Sequence, residues 1–98
     1  MERCYYDTEH NSIADLMDYQ DGKLITRINV PREHRGQGLA SSLMKRITAD
    51  ADRTRTKLYA WISPSDGLGR RALKAWYRRN GFRIDRDFVA TRTPVAEP

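Results

Sequence analysis

Apolar and polar residues alternate along the first third of the chain, which is the pattern of strands in a half-buried sheet. Three strands are predicted, over residues 3–9, 12–20 and 23–30. A turn at residues 10–12 joins the first two strands, and Asp21-Gly22 is a strong hairpin signal before the third. Pro31 lacks the amide hydrogen that a further ladder bond needs, so we expect the pairing to end there. The third strand alternates between two sets of residues, Leu24, Thr26, Ile28 and Val30 against Ile25, Arg27 and Asn29.

The spacing of apolar residues becomes helical beyond residue 38. Leu39, Leu43 and Ile47 are four residues apart and predict a helix over residues 39–51 with one core face. A second helix is predicted to end at Asn80-Gly81, a good C-terminal cap. The remaining predicted elements are a strand over residues 57–62 that is halted by residues 63–67, the second helix over 70–79, and a hairpin of 82–84 with 88–91. This order predicts an α+β domain with a mixed, mostly antiparallel central sheet and two principal helices.

The bulk composition predicts a soluble, cytoplasmic protein without a bound metal. The 98 residues form one predicted domain over residues 1–92, with a short tail over 93–98. No apolar run approaches the ~20 residues of a membrane span, and the first six residues lack the regions of a signal peptide. His10 and His34 have no metal-ligand spacing, and one cysteine cannot form an internal disulfide. We expect Cys4 to be a small buried hydrophobe.

The net charge of +5 is unevenly distributed. Residues 1–23 carry two basic and six acidic side chains, a balance of −4, whereas residues 53–86 carry ten basic and two acidic side chains, a balance of +8. This asymmetry favours an anionic ligand or partner near the C-terminal half. The other interpretation is a solvated helix face, which is sufficient to explain at least about half of these charges.

The segment from Val30 to Ala40 lies at a corner between a predicted strand and a predicted helix. It contains Arg35 and two glycines, Gly36 and Gly38. Glycines let main-chain N–H groups turn toward a ligand without a Cβ in the way. The first turn of the helix adds unpaired donors and the positive end of its dipole. The segment therefore predicts a pyrophosphate-binding turn, with an ordinary tight corner as the alternative.

Two motifs in this order resemble those of the GNAT superfamily of acyl-coenzyme A acyltransferases. Residues 35–40 fit the family's acetyl-CoA signature, Gln/Arg-x-x-Gly-x-Gly/Ala, and a strand ending in Val-Pro precedes them. Residues 72–82 resemble the second motif, in which Tyr-x-x-x-Gly-Phe closes the last major helix and Tyr77 supplies the tyrosine. Each motif lies on the expected element, and the resemblance covers roughly residues 20–90.

The resemblance implies a role for each motif. Main-chain N–H groups of residues 35–40 would hold the pyrophosphate of CoA, and residues 28–30 would lie along the pantetheine arm as an added strand does. The implied cofactor-binding residues are Ile28, Asn29, Val30, Arg35, Gly36, Gln37, Gly38, Leu39 and Ala40. Tyr77 would be the general acid that protonates the departing thiolate. A core aromatic is the alternative for Tyr77, which shares a helical stripe with Leu73 and Trp76.

The chain also departs from the family pattern. The family usually has a strand and two helices ahead of the first hairpin. Those helices form one wall of the acceptor site, and this chain has no room for them. Its second motif often begins with Asn where this chain has Arg70. Many members carry a carboxylate base on the strand before the turn, but residues 24–30 contain no acid. We assign no base: a water relay is one alternative, and the side chains considered are Glu33 and His34 beside the turn, Asp18 on a strand, and Ser63 or Ser65 near the end of another strand.

The activity that the resemblance implies is transfer of an acetyl group from acetyl-CoA to a primary amine. An open cleft suits the lysine or N-terminus of a protein, and the arginines favour an acidic or nucleoprotein surface. A homodimer that completes the missing wall is one arrangement. Short phage-encoded acetyltransferases that modify a host or CRISPR protein lysine have a similar reduced layout, so an inhibitor of that kind is among the expected functions. The alternative is a non-catalytic module that binds acyl-CoA or nucleic acid.

Overall fold

A mixed sheet forms the centre of the computed structural model, which describes residues 3–7, 9, 11–34, 36–62 and 69–95. Its six strands in this described part are β1 (Arg3–Asp7), β2 (Ser12–Tyr19), β3 (Gly22–Asn29), β4 (Lys57–Trp61), β5 (Arg83–Ile84) and β6 (Val89–Arg92). They are ordered β1-β2-β3-β4-β6-β5 across the sheet. β3 and β4 are parallel, and the other neighbouring pairs are antiparallel. The predicted α+β class with a mostly antiparallel sheet is confirmed.

Two helices, α1 (Leu39–Thr54) and α2 (Arg70–Arg79), follow β3 and β4. α2 has the predicted bounds, and α1 continues three residues beyond the predicted end at Ala51. A hydrogen bond of 2.8 Å from Trp76 Nε1 to Ser41 Oγ joins the two helices. The helices and strands share one core, which includes Leu43, Met44, Ile47 and Ala51 of α1, Tyr77 of α2, and Ala14, Leu16, Leu58, Ala60 and Ala90 of the sheet.

A β-bulge interrupts β3. The strand is in register with β2 as far as Ile25 and again from Arg27, so Thr26 is an extra residue between the two paired stretches. The extra residue shifts the alternation of side chains by one position. Ile25 consequently lies in the core and Ile28 packs against the same core, although strict alternation predicted opposite faces. The prediction of uninterrupted alternation over residues 23–30 was wrong for this reason.

The turn between β2 and β3 lies one residue earlier than predicted. Tyr19 pairs with Gly22, so the loop consists of Gln20 and Asp21, and Gln20 has a φ of 48°. Gly22 already belongs to β3, next to β4. A Cβ atom there would lie 2.0 Å from the carbonyl oxygen of Lys57. The predicted hairpin is confirmed, but the glycine is required by the close approach of β4 and not by the turn.

The other differences from prediction are local. β1 ends at Asp7, and a short 3-10 helix over Arg32–His34 follows β3. Cys4 is exposed, so its predicted burial was wrong: its neighbour Tyr5 points into the core, and alternation along β1 places Cys4 on the opposite face. His10 and residues 63–68, which include the predicted halt after β4, lie outside the described residues. None of the described helices is long and apolar enough to cross a membrane.

A largely buried ion pair ties β6 to α1. The side chain of Arg92 is 8% exposed and that of Asp52 is 25% exposed. Arg92 donates two hydrogen bonds to the Asp52 carboxylate, at 2.8 and 3.0 Å, and its Nε donates to the Asn80 carbonyl at 3.1 Å. The Val95 amide also donates to Asp52, at 2.9 Å. These bonds, those from Arg92 first, hold the pKa of Asp52 below its ordinary value against the opposing effect of desolvation.

Asp52→Asn should lower the free energy of unfolding by about 2–3 kcal/mol, because it leaves the Arg92 guanidinium buried without a counter-charge. Since the pKa of Asp52 is lowered by folding, its stabilisation is complete above the unfolded value of about 3.9 and is lost as the pH falls through the folded pKa. Urea denaturation near pH 7 and near pH 3 measures both effects. Asp18→Asn, at a carboxylate that is 60% exposed, is the control and should cost less than about 1 kcal/mol. Equal losses in the two variants would contradict the importance of the buried pair.

Candidate functional site

The parallel strands β3 and β4 separate after a short paired stretch. Their pairing runs from Gly22 opposite Lys57 to Ile25 opposite Ala60, and it stops where Thr26 bulges. A bulge bends its strand and increases the local twist, which accounts for the separation. A cavity of about 430 Å³ lies at the gap. Its lining residues are Ile25, Thr26, Arg27 and Ile28 of β3, Ala40 of α1, Trp61 of β4, and Ala72, Leu73, Trp76, Tyr77 and Arg79 of α2.

The two glycines of the predicted pyrophosphate turn adopt left-handed backbone conformations, with φ values of 83° at Gly36 and 76° at Gly38. A Cβ atom at either position would have no described atom within 4 Å, so the space beside the turn is open. The Gly38 carbonyl accepts the first helical bond of α1, from the amide of Ser42, and no described side chain caps this end. The amides of residues 39–41 therefore lack intrahelical partners. An open turn with such donors fits a pyrophosphate group.

The other predicted residues of the turn surround this open corner. Gln37 is exposed, and Leu39, the first residue of α1, is half-buried. Ala40 lines the cavity, so the turn and the cavity are contiguous. Arg35 lies outside the described residues.

One edge of β3 faces the gap. Residues 27–29 pair with β2 on one side, and within the described chain no strand pairs with them on the side of β4. Ile28 lines the cavity, Asn29 is exposed, and Val30 directly follows the strand. An extended ligand with amide groups binds such an edge as an added strand does. The edge is therefore open to the pantetheine arm, and its placement there stays a prediction.

The end of α2 places Tyr77 at the cavity. Gly81 has a φ of 90°, its amide donates to the Arg78 carbonyl at 3.0 Å, and the Phe82 amide donates to the Tyr77 carbonyl at 3.1 Å. These two bonds form a Schellman motif, which commonly brings together the side chains at its two ends. The rings of Tyr77 and Phe82 are in edge contact, with centroids 5.1 Å apart. The Tyr-x-x-x-Gly-Phe spacing therefore produces the helix cap that orients Tyr77.

Tyr77 is a buried phenol that lines the cavity. Desolvation raises its pKa to about 12, and no hydrogen-bond partner contributes to this shift. The hydroxyl is therefore protonated at physiological pH and can donate a hydrogen bond to a group in the cavity. Tyr77 therefore belongs to the core and also lines the cavity, so the two interpretations of this residue are compatible.

Of the candidate bases, Glu33, His34 and Asp18 are not among the described lining residues of the cavity, which include no carboxylate or imidazole. Glu33 and His34 lie in the short 3-10 helix ahead of the glycine turn. Asp18 is exposed near the turn between β2 and β3. Ser63 and Ser65 lie outside the described residues. The structure assigns no general base.

Sequence reasoning missed Trp61, which lines the cavity from the end of β4 and is 59% exposed. Alternation with the buried residues Leu58 and Ala60 places Trp61 on the face of the sheet away from the helices. Its ring meets that of Tyr19 edge-on, with centroids 6.1 Å apart. The alternation in residues 57–62 could have indicated this face. It could not have shown that the cavity opens there, because the opening depends on the bulge in β3.

The fold resembles three solved structures. It is similar to the anti-CRISPR protein AcrVA5, with a TM-score of 0.76 and 16% identity over 94% of this chain and 98% of that one. It is similar to the PaiA N-acetyltransferase of Thermoplasma acidophilum in complex with coenzyme A, with a TM-score of 0.65 and 13% identity over 84% of this chain and 52% of that one. An acyl-CoA N-acyltransferase of Pseudomonas aeruginosa has a TM-score of 0.64 and 25% identity over 84% and 60%.

Residues 3–84 match the family model of the acetyltransferase (GNAT) domain. The chain belongs to the GNAT family of acetyltransferases, so the resemblance carried by the two motifs is confirmed. No curated protein sequence matches the chain significantly. The chain spans between about half and three fifths of the two longer acyltransferase structures, and nearly all of the anti-CRISPR protein.

Proposed function

We propose that this protein acetylates a primary amine, the lysine or N-terminus of another protein, with acetyl-CoA as the acetyl donor. One juxtaposition carries the proposal: the open glycine turn at the start of α1 continues, through Ala40, into a cavity that contains the protonated phenol of Tyr77. Family membership supports acetyl transfer as the class of reaction. The choice of acceptor rests on the open side of the gap.

The donor side of the site fits acetyl-CoA, which supplies a thioester when bound. The amides of residues 39–41 lack intrahelical partners at the positive end of α1, and the space beside Gly36 and Gly38 is open, which suits a pyrophosphate. The edge of β3 at residues 27–29 suits the amides of the pantetheine arm. The cavity of about 430 Å³ lies within the range of small-molecule sites, about 300–1,000 Å³. A related fold solved with coenzyme A supports the same assignment.

Tyr77 acts on the leaving group. Attack by a neutral amine forms the new N–C bond and breaks the C–S bond, and the negative charge goes to sulfur. A phenol with a pKa of about 12 is a weaker acid than a thiol of ordinary pKa near 8.5, so complete proton transfer would cost about 5 kcal/mol. We therefore propose that Tyr77 serves as the acid by donating a hydrogen bond to the developing thiolate. The attacking nitrogen, positively charged once the N–C bond has formed, loses a proton to become the amide, and the sulfur takes its final proton from that nitrogen or from water.

The acceptor amine loses its proton to water in this proposal. The described lining of the cavity contains no carboxylate or imidazole that would accept the proton. The exposed indole of Trp61 marks an approach from solvent on the face of the sheet away from the helices. Lysine has an ordinary pKa of about 10.4, so the neutral amine is a small but usable fraction at neutral pH.

A macromolecular acceptor fits this open approach better than a small molecule does. Sites for small molecules usually enclose most of the ligand surface, whereas a lysine on another protein needs enclosure of its tip alone. Trp61, 59% exposed beside the cavity, offers an apolar surface to the stem of such a side chain. Modification of a protein from a CRISPR system falls within this proposal, and the fold likeness to AcrVA5 is compatible with it.

The test offers lysine-rich proteins and polyamines together to the enzyme, with acetyl-CoA that carries a radiolabelled acetyl group. The label should appear in acid-precipitable protein. The Tyr77→Phe variant, incubated in parallel, corrects for spontaneous acetylation. Label that enters polyamines and leaves every protein unlabelled would contradict the macromolecular acceptor while preserving the reaction class.

The second candidate function is a non-catalytic module that binds acyl-CoA. The absence of a base among the described lining residues favours it. The two functions differ in one observable: a module would show a thermal shift with acetyl-CoA and would release no free CoA thiol with any amine. Thiol release above the Tyr77→Phe background excludes the module.

A further inference from the structure

Four cations lie together on one side of α2. At about 100° per residue, Arg70, Arg71, Lys74 and Arg78 fall within an arc of about 100° and extend about 12 Å along the helix axis. The three arginines are exposed, and Lys74 is half-buried. We call this surface the α2 basic face. It lies beside the apolar stripe of α2 and not upon it, so it is not needed to bury the helix.

The α2 basic face carries four positive charges, and α2 supplies no negative charge to balance them. None of its four cations forms an ion pair with any described residue, and α2 contains no acidic residue. Elsewhere in the described chain, ion pairs are formed by Lys23, Arg27, Arg53, Lys57 and Arg92. The face therefore groups four cations on one side of a single helix without a carboxylate partner among the described residues.

This arrangement of charge disfavours the helix that carries it. Arg70 and Arg71 occupy the first turn, where acidic residues are stabilising and cations oppose the helix dipole. Lys74 is four residues from both Arg70 and Arg78, which is the spacing at which like charges repel. A sequence that breaks local rules of stability at one place commonly does so for function.

A strained aromatic residue supports two of these cations. Phe88 has a φ of 60°, a conformation that bulky side chains rarely adopt. Its ring lies 4.3 Å from Arg70 Cζ and 4.4 Å from Lys74 Nζ. Cation–π contacts of this kind hold the two charges against the protein surface. Two of the four charges are thus positioned on the helix before any ligand binds, so little conformational entropy is lost when a polyanion orders those two side chains.

We propose that the α2 basic face binds the phosphate backbone of a nucleic acid. Three of its four cations are arginine, whose planar fork matches phosphate oxygens. A protein partner would need apolar anchors as well, but the exposed large hydrophobic residues of the described chain, Tyr6, Met17, Trp61 and Val95, lie outside α2. This inference goes beyond the proposed function and does not depend on acetyl transfer.

The test is fluorescence anisotropy with a labelled duplex of about 20 base pairs, titrated at several salt concentrations. Four phosphate contacts predict a slope of about −3.6 in a plot of log K against log salt, so affinity should fall roughly 100-fold between about 50 and 200 mM salt. The double variant Arg71→Gln/Arg78→Gln should reduce the magnitude of that slope by about 2. It leaves the Phe88 contacts in place, and glutamine is a good helix former.

Lys45→Gln/Arg55→Gln is the matched control, because it removes two exposed cations from the α1 region and gives the same net charge. It should leave the slope unchanged. Arg71→Lys/Arg78→Lys, which keeps the charges, should retain most of the binding, and an unchanged thermal unfolding midpoint of the glutamine variant excludes misfolding as the cause of its loss. Equal losses in the glutamine variant and the control would overturn the inference. Stronger competition by polyglutamate than by unlabelled duplex would also overturn it. A loss of acetyl-CoA binding in the glutamine variant would overturn it as well, because it would assign the arginines to the phosphates of CoA.

Discussion

Replacing Tyr77 with phenylalanine is expected to lower the turnover number by about 10²–10³ while leaving the affinity for acetyl-CoA unchanged. The substitution keeps the ring that packs against Trp76 and Phe82 and removes the hydroxyl of a residue that lines the cavity. Removal of one donor to a developing negative charge typically has an effect of this size. Steady-state assay of thiol release gives the turnover number, and calorimetric titration gives the affinity.

The dependence of rate on pH separates the role of Tyr77 from that of the acceptor. Because burial raises the pKa of Tyr77 to about 12, the phenol stays protonated up to about pH 11. The rate should therefore rise with pH as the lysine amine deprotonates and should show no decline before about pH 10. Tyr6→Phe, at a tyrosine that is 46% exposed, is the control and should behave as wild type. Turnover of Tyr77→Phe within about twofold of wild type, with acetyl-CoA still bound, would show that the hydroxyl takes no part in the reaction.

Placing an aspartate at Gly38 should weaken the affinity for acetyl-CoA by at least about 100-fold. Its Cβ would enter the open space beside the turn, and its carboxylate would face the pyrophosphate at short distance. Asparagine is the matched comparison, because both side chains are good helix N-caps and tolerate the φ of 76° better than most residues. Calorimetric titration of the two variants measures the effect.

The difference between Gly38→Asp and Gly38→Asn isolates the charge, since the two side chains have nearly the same shape. We expect aspartate to bind at least about tenfold more weakly than asparagine, which corresponds to about 1.4 kcal/mol. Thermal unfolding without ligand should give similar midpoints for both and so excludes a difference in folding. Equal affinities in the two variants would show that the pyrophosphate lies elsewhere.

The parts of the fold that were predicted from sequence have local causes. The end of α2 depends on Asn80 and Gly81, and the same few residues fix the Schellman motif that orients Tyr77. The glycine turn ahead of α1 likewise depends on the backbone freedom of Gly36 and Gly38. A motif of this kind can be read from six to eleven neighbouring residues.

The parts that sequence reasoning missed depend on contacts between distant segments. Nothing within residues 23–30 marks Thr26 as a bulge, because the bulge is defined by its register against β2. The bulge in turn opens the gap that Trp61 borders, so the cavity could not be predicted either. Gly22 is a second example. The sequence predicts it as a turn glycine, but glycine is required there because any Cβ would collide with the backbone of β4, which is distant in sequence.

Calorimetric titration of the wild-type protein with acetyl-CoA tests the central claim, that the glycine turn and the adjoining cavity form a donor site, most directly. We expect saturable binding at one site per chain, and competition by free coenzyme A. Absence of binding at millimolar acetyl-CoA, in a protein that unfolds cooperatively on heating, would contradict the donor site and the reaction proposed for Tyr77.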